Sequence, residues 1–272
     1  MKSPAPLIDI GLNLGSRQFA KDAPEVLERA WEAGVTGCVL TGTSVAESRV
    51  VMELCQRHTD SYAGRLVCTA GIHPHYAVEY GSDTASELRE LAQQPVVKAI
   101  GETGLDFNRD FTPRPQQEKA FAAQLELAIE CGLPVFMHER DAAERQYDIL
   151  RDYRDHLVDG VIHCFTGSKA ALFRYLDMDL HIGITGWVCD ERRGQELQQL
   201  VTSIPAQRLM IESDAPYLLP RNMDPKPAGK RNEPMYLPWV LAMLAQCRNE
   251  TPLELAHSTR TTTERFFRLT EN

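Results

Sequence analysis

The amino-acid sequence predicts a single-domain α/β protein built as a closed (β/α)8 barrel. Short apolar segments rich in β-branched residues alternate with longer amphipathic segments along the chain, a pattern typical of strand–helix units around a parallel sheet. Eight such units occur in 272 residues, close to the roughly 250 residues of a barrel of this kind. No Gly-x-Gly-x-x-Gly turn follows the first unit's strand, which disfavours an open dinucleotide-binding sheet.

Each unit is a predicted strand followed by a predicted helix. The strands are expected at residues 7–10, 35–40, 66–72, 96–100, 134–137, 160–164, 180–184 and 208–211, and the helices at 24–33, 45–58, 82–93, 115–131, 142–156, 168–177, 191–201 and 234–247. Pro24 suits a first helical turn, Ser82 is expected to cap the third helix, and Gly132 ends the fourth. A helical tail over about 252–268 is expected to pack on the barrel, inside one domain of residues 1–272.

The charge balance limits the kinds of partner that the protein binds. Lysine and arginine number 29 against 38 aspartates and glutamates, which gives a formal charge of −9. This balance argues against a broad, salt-dependent clamp on nucleic acid. It is compatible with an enzyme that meets phosphates in a local pocket.

The sequence also predicts the compartment. No apolar run approaches the roughly 18 residues that span a bilayer, and no apolar signal segment precedes Asp9. The seven cysteines form no Cys-x-x-Cys pair, so we expect free thiols, with neither a disulfide framework nor a thiolate zinc site. We therefore expect a cytoplasmic monomer with no membrane contact and no obligate protein partner.

Polar residues follow several predicted strands at the point where each strand ends. Glu102, His138, His163 and Asp214 each follow a different strand. The carboxyl ends of barrel strands gather at one mouth, and imidazole and carboxylate groups together bind divalent metal ions. These four residues therefore predict a metal site, although any one of them taken alone is also compatible with a backbone cap.

Seven segments resemble the TatD family of metal-dependent nucleases. They are residues 10–19, 71–75, 99–107, 134–138, 163–167, 182–190 and 211–218, in the family's order and nearly end to end. The resemblance implies a barrel of the metal-dependent hydrolase type. It also implies a Mg²⁺-dependent cytoplasmic 3′-5′ exonuclease on single-stranded DNA and RNA, with a role in DNA repair. It gives Glu102, His138 and His163 the family's metal-ligand positions, and Asp214 that of its catalytic or metal-bound aspartate.

One departure from the family pattern concerns the metal site. Most relatives begin with Asp-x-His-x-His, whereas this chain has Gly11 and Asn13 in place of the two histidines. Losing two nitrogen donors should weaken one of two metal positions and favour oxygen-preferring ions. We therefore expect one firm site for Mg²⁺, with Mn²⁺ as an alternative ion. A second ion, held by Glu102, Asp214 and substrate phosphate, is expected to bind only with substrate.

Further candidate residues would contact the substrate. His73 and His75 flank a proline that stiffens their turn, and we expect them to contact the phosphate or the leaving group; the alternative is a capping role. Arg140 suits a fork-shaped phosphate clamp, or equally a local ion pair with Asp141 or Glu144.

The segment of residues 221–234 would follow the last strand. It begins with Arg221 and carries four cations in its first 11 positions, which suits the backbone of a single strand; a solvated charged face is the alternative. Trp187, Tyr217 and Phe107 lie near strand ends, where they would stack on bases or fill the core.

The expected chemistry is in-line attack of an activated water on the terminal phosphodiester. Asp214 would orient that water or accept its proton, and Glu102 is placed to bridge two ions. Two alternatives remain open from the sequence. One is a metal-dependent hydrolase of a small ester, amide or lactone, since a barrel does not fix function. The other is a non-catalytic quality-control partner.

Overall fold

The computed structural model of the chain describes residues 1–57 and 66–269. Eight strands form one sheet in the order β1 to β8, the strand order of a (β/α)8 barrel. The strands are Leu7–Leu12 (β1), Val35–Leu40 (β2), Leu66–Ala70 (β3), Val97–Asp106 (β4), Val135–Arg140 (β5), Gly160–Ile162 (β6), His181–Ile184 (β7) and Leu209–Ile211 (β8). Their residues are nearly all buried, as in parallel strands that are covered on both faces.

Helices connect successive strands, as the sequence predicts. The α-helices are Ala23–Glu32 (α1), Val45–Arg57 (α2), Ser82–Ala92 (α3), Arg114–Cys131 (α4), Ala143–Tyr153 (α5), Lys169–Asp177 (α6), Gln195–Leu200 (α7), Leu237–Arg248 (α8) and Pro252–Phe266 (α9). Short 3₁₀ helices add Pro74–Glu79 after β3 and Gly186–Cys189 after β7. Within the described residues, no helix has the length and hydrophobicity that crossing a bilayer requires.

Several predicted boundaries differ from those of the structure. β4 continues to Asp106, whereas the sequence predicts a strand that ends at residue 100. The third helix has Gly81 at its N-cap, so the prediction that Ser82 caps it was wrong; Ser82 is the first helical residue. The end of the helix predicted over 45–58 lies outside the described residues. Gly132 ends α4 in a left-handed conformation, as expected.

The chain divides into two compact units. The first unit comprises residues 1–39 and 164–166 and the described residues from 182 onward. In it β7 pairs with β8 in parallel, a parallel bridge joins Leu12 to Ala215, and α9 packs against β8 and β1. The second unit comprises the described residues of 40–163 and 167–181. In it β3, β4, β5 and β6 pair in parallel, each with the next.

Buried glutamines on the helices bind the backbone at the carboxyl ends of strands in the second unit. Gln124 of α4 accepts a hydrogen bond from the Ile72 amide at 2.7 Å and donates to the Ile72 carbonyl at 3.1 Å. Gln117 binds the amide and the carbonyl of Asp106 in the same way, at 2.8 and 3.1 Å. Gln146 of α5 accepts from the Leu105 amide. Because a buried backbone group without a partner is costly, these amides fix the strand ends that carry the site.

Candidate metal centre

Four neighbouring strands of the second unit deliver polar side chains to one point. Glu102 lies on β4 and His138 on β5, while His163 directly follows β6 and His73 follows β3. Since these strands are parallel and adjacent, their carboxyl ends lie side by side. Residues that are 25 to 90 positions apart along the chain are thereby brought together.

One carboxylate oxygen is the centre of this cluster. Glu102 Oε1 lies 2.7 Å from His163 Nε2, 3.0 Å from His138 Nδ1 and 3.3 Å from His73 Nε2. Glu102 is only 6% exposed. Three imidazole nitrogens therefore surround one buried carboxylate oxygen, which would otherwise lack the solvation that its charge requires.

The backbone before Glu102 is built for close packing. Gly101 has a φ of 145°, a backbone conformation that residues other than glycine rarely adopt. A Cβ at this position would also overlap the Phe136 carbonyl oxygen on β5. The Glu102 amide donates to the Gly42 carbonyl at 2.7 Å. Glycine at 101 thus lets β4 approach its neighbours while Glu102 turns into the cluster.

The electrostatics of the cluster favour a charged carboxylate beside a neutral imidazole. Burial lowers the pKa of His73 to about 4, so this ring is neutral at pH 7 and keeps a lone pair. Burial opposes ionisation of Glu102, but the neighbouring His163 and His73 hold the pKa of its carboxyl well below its usual value. For His138, burial lowers the pKa, and the neighbouring carboxylates of Asp106 and Glu102 outweigh that effect and raise it.

Asp106 is a second carboxylate that contacts the histidines of this region, and the sequence did not predict its role. Its Oδ2 lies 2.7 Å from His75 Nε2 and 3.3 Å from His138 Nε2. Burial raises the pKa of Asp106, but the adjacent His138 and His75 and a hydrogen bond from the Arg109 amide hold it well below the usual range. Glu102 and Asp106 lie four residues apart on one strand, and alternate strand residues share a face. This spacing was a usable signal, but the predicted strand ended too early to reveal it.

These residues fit a divalent cation. Ligand atoms of His73, Glu102 and His138 lie within 4.8 Å of one another. The His138 Nε2 atom is buried and makes no hydrogen bond within the described chain, although Asp106 Oδ2 is near. Carboxylate oxygens suit Mg²⁺ and Mn²⁺, and imidazole nitrogens suit Zn²⁺, so this mixed donor set is compatible with a divalent cation. Of the four ligands predicted from the sequence, Glu102, His138 and His163 are brought together, and His73 joins them.

Asp214, the fourth predicted ligand, belongs to the other unit and follows β8. Its Oδ1 accepts a hydrogen bond from Asn13 Nδ2 at 3.1 Å, and its amide donates to the Gly11 carbonyl at 2.9 Å. Asn13 therefore orients this carboxylate, although the sequence suggested only that an amide had replaced a metal-binding imidazole.

Glu212 explains the glycine at position 11. A Cβ on Gly11 would overlap Glu212 Oε2, and a Cβ on Gly183 would crowd Glu212 Oε1. The Glu212 carboxylate is fully buried and accepts a hydrogen bond from the Cys164 amide. Its side chain thus fills the space that a histidine at position 11 would need.

Asp9, two residues before Gly11, is a second buried carboxylate in this region. It accepts hydrogen bonds from the Ser213 amide at 2.8 Å, the Ser213 hydroxyl at 2.6 Å and the Gly11 amide at 3.2 Å. Burial is the largest influence on its pKa, which rises to about 7 despite these bonds. Asp9 therefore exchanges a proton near neutral pH.

The structure places Arg140, one of the two arginines predicted to contact phosphate, at a strand end. Arg140 is the last residue of β5, opposite Asp106 on β4. Of its two alternative partners, Asp141 accepts a hydrogen bond from an asparagine and Glu144 pairs with another arginine. Both roles of Arg140 stay predictions.

Arg221 follows β8 on the exposed surface. It pairs with Glu191 at 2.9 Å and lies 3.8 Å from Asp190. The guanidinium is therefore held in place, and its contact with substrate stays a prediction.

Comparison with known families gives a match over nearly the whole chain. The model of the TatD related DNase family matches residues 8–268. A protein of Erwinia amylovora named 3′-5′ ssDNA/RNA exonuclease TatD is 50% identical over 263 residues, which cover 97% of this chain and 100% of the relative. A protein of the same name from Salmonella typhimurium is 49% identical over 253 residues, covering 93% of this chain and 95% of the relative.

Solved structures share the fold. A TatD homologue from Escherichia coli superposes with a TM-score of 0.87 at 25% identity, covering 96% of this chain and 98% of that one. A TatD family hydrolase from Entamoeba histolytica gives a TM-score of 0.88 at 23% identity, covering 99% and 100%.

Introducing the missing histidine should destabilise the protein. In Gly11→His, Glu212 must leave a buried position, so we expect a loss of about 1–3 kcal/mol in the free energy of unfolding, typical of an overpacked core. Urea denaturation measures this loss. Asn13→His is the control, because position 13 is only partly buried and should lose less. A Gly11→His protein as stable as the wild type would contradict the account of Glu212.

Asp9 should make stability depend on pH. Its pKa in the folded state, about 7, exceeds the ordinary value of 3.8. The folded protein therefore binds the extra proton between about pH 4 and 7, and the stability that this proton contributes is lost as pH rises through that window. Relative to Asp9→Asn, the wild type should lose up to about 4 kcal/mol from pH 4 to 8. Parallel urea-denaturation curves for the two proteins across this range would exclude the raised pKa.

Proposed function

The chain belongs to the TatD family of DNases, and from this premise we propose that it is a metal-dependent exonuclease that shortens single-stranded DNA and RNA from the 3′ end. The observation that carries the proposal is the convergence of three imidazole nitrogens on Glu102 Oε1. Relatives that are half identical over nearly their whole length bear the name of this activity.

The metal would be held by Glu102, His138 and His163, with His73 beside them. We propose Mg²⁺ as the ion, with Mn²⁺ as a substitute, because the family resemblance implies Mg²⁺ and the Glu102 carboxylate is a ligand type that both ions prefer. When bound, a divalent cation supplies a Lewis acid for the phosphodiester and for the attacking water. A second ion would depend on Glu102, Asp214 and substrate phosphate, since Gly11 and Asn13 provide no imidazole.

Asp214 is proposed to orient the attacking water and to accept its proton. The hydrogen bond from Asn13 orients the Asp214 carboxylate for this task. Glu102 remains ionised because its histidine neighbours lower its pKa. His73, His75, Arg140 and Arg221 would contact phosphate or the leaving group, where cationic and hydrogen-bonding groups stabilise the charge of the transition state.

We further propose a cytoplasmic monomer that acts in DNA repair without an obligate protein partner. All seven cysteines lie in the described ranges and carry thiols rather than disulfides, which suits a reducing compartment. Neither the small-molecule hydrolase nor the non-catalytic partner gains a specific observation in its favour.

Removing the central carboxylate should abolish cleavage. Glu102→Gln keeps the shape of the side chain but removes its charge, and we expect the rate of shortening of a 5′-labelled single strand to fall by roughly 100-fold or more. The exposed Glu28 on α1 gives the control Glu28→Gln, expected to cleave like the wild type. Circular dichroism must show that both variants are folded. Undiminished cleavage by folded Glu102→Gln would overturn the assignment.

Metal removal should stop the reaction reversibly. Protein treated with chelator should leave the labelled strand intact, and added Mg²⁺ or Mn²⁺ should restore a ladder that shortens from the 3′ end. The same ions should raise the Tm of the wild type more than that of Glu102→Gln, because a ligand that binds the folded state stabilises it. Full activity in chelator would refute the metal dependence. Hydrolysis of esters or lactones without any shortening of the strand would instead favour the small-molecule alternative.

A further inference from the structure

A cavity of about 420 Å³ opens in the first unit, beside the loops that follow β7 and β8. Its walls come from the 3₁₀ helix Gly186–Cys189, the residues just after it, and the segment that follows Asp214. The side chains that matter here are Trp187, Asp190, Arg193, Arg221, Lys226 and Lys230. None of them belongs to the histidine cluster, and the volume lies within the roughly 300–1,000 Å³ of small-ligand sites.

The cavity is strongly cationic for a protein with a net charge of −9. Four cations line it, against the single carboxylate of Asp190. Asp190 binds Arg193 at 3.1 Å. Lys226 and Lys230 are exposed and form no ion pair or hydrogen bond with any described residue. Two of the charges are therefore available to an incoming anion.

One wall of the cavity is flat and aromatic. The Arg193 guanidinium lies over the Trp187 ring, 4.3 Å from its centroid. The Trp187 amide donates to the Thr185 hydroxyl at 3.3 Å, and Asp190 holds the guanidinium from its edge. The stacked pair is thus fixed before any ligand arrives. Stacked arginine and aromatic planes are the surfaces on which proteins bind unpaired bases.

We propose that this cavity is a nucleotide subsite for single-stranded nucleic acid, a proposal that rests on the proposed function. One nucleotide of the substrate places its base against the Trp187–Arg193 wall and its phosphates against Lys226 and Lys230. The lining begins at Gly186 after β7 and resumes at Leu218, four residues after Asp214. A strand bound here is therefore held by the same loop that carries the proposed catalytic carboxylate. Neither stacking nor charge distinguishes one base from another. The subsite therefore accepts any nucleotide sequence.

Equilibrium binding tests the subsite without cleavage. The chain of 272 residues, in chelator, is titrated with a fluorescently labelled ten-nucleotide thymidine strand at several KCl concentrations. Loss of two phosphate contacts in Lys226→Ala/Lys230→Ala should reduce the slope of log K against log salt by about 1.4. The control Lys2→Ala/Lys119→Ala removes the same charge from exposed positions outside the cavity and should keep the wild-type slope. Equal slopes for all three proteins would overturn the proposal.

The aromatic wall has its own test. Trp187→Ala should weaken binding of the same strand by roughly tenfold, and Trp187→Phe should recover most of that loss because it restores a ring. Trp239→Phe, on α8 and outside the cavity lining, is the control for tryptophan replacement in general. Wild-type affinity in folded Trp187→Ala would refute stacking at this wall.

Cleavage separates the subsite from the proposed function. With Mg²⁺ present, the loss of kcat/KM in Lys226→Ala/Lys230→Ala should be at least fivefold larger on ten-nucleotide strands than on dinucleotides. Wild-type protein that shortens neither strand refutes the proposed function, whatever the binding data show. Wild-type cleavage together with equal losses on both lengths refutes only the subsite.

Discussion

A carboxylate taken out of water must be compensated by the protein, and Glu102 is where this constraint is strongest. An unpaired buried charge costs several kcal/mol, so Glu102 needs several polar neighbours at hydrogen-bonding range. Three histidines meet that need at one oxygen. They reach it only because β3 to β6 run parallel and end together. The parallel strand order and the glycine before Glu102 therefore make the donor set of the candidate metal centre possible.

Much of the fold was predictable because its signals are local. Each strand is a short apolar run and each helix an amphipathic one, so all eight units were identified. The extension of β4 to Asp106 was not predictable, because its last part contains Gly101 and Gly104, and glycine weakens strands. Gln117 and Gln146 hold that part from the helices. Such long-range hydrogen bonds cannot be recognised from the local pattern of apolar and polar residues.

The candidate site was predictable to the extent that position at a strand end implies proximity. That argument selected Glu102, His138 and His163, which lie together. It could not show that Glu212 fills the space beside Gly11, or that Asn13 binds Asp214. Both facts concern residues on or just after β1 and just after β8, some 200 residues apart in sequence. The sequence indicated two lost histidines; the structure shows a different set of polar groups in their place.

Two glutamines of α4 connect the helix layer to the strand ends that carry the candidate metal centre. Gln117 and Gln124 each use both ends of the amide, accepting from a backbone N–H and donating to a carbonyl. Glutamate would set a second oxygen against that carbonyl, and asparagine is one methylene too short to span both groups. Deamidation of either side chain during ageing or storage would therefore break its hydrogen bond to the backbone carbonyl at a strand end. Chemical damage to a helix outside the sheet would thus destabilise the strand ends that carry the candidate metal centre.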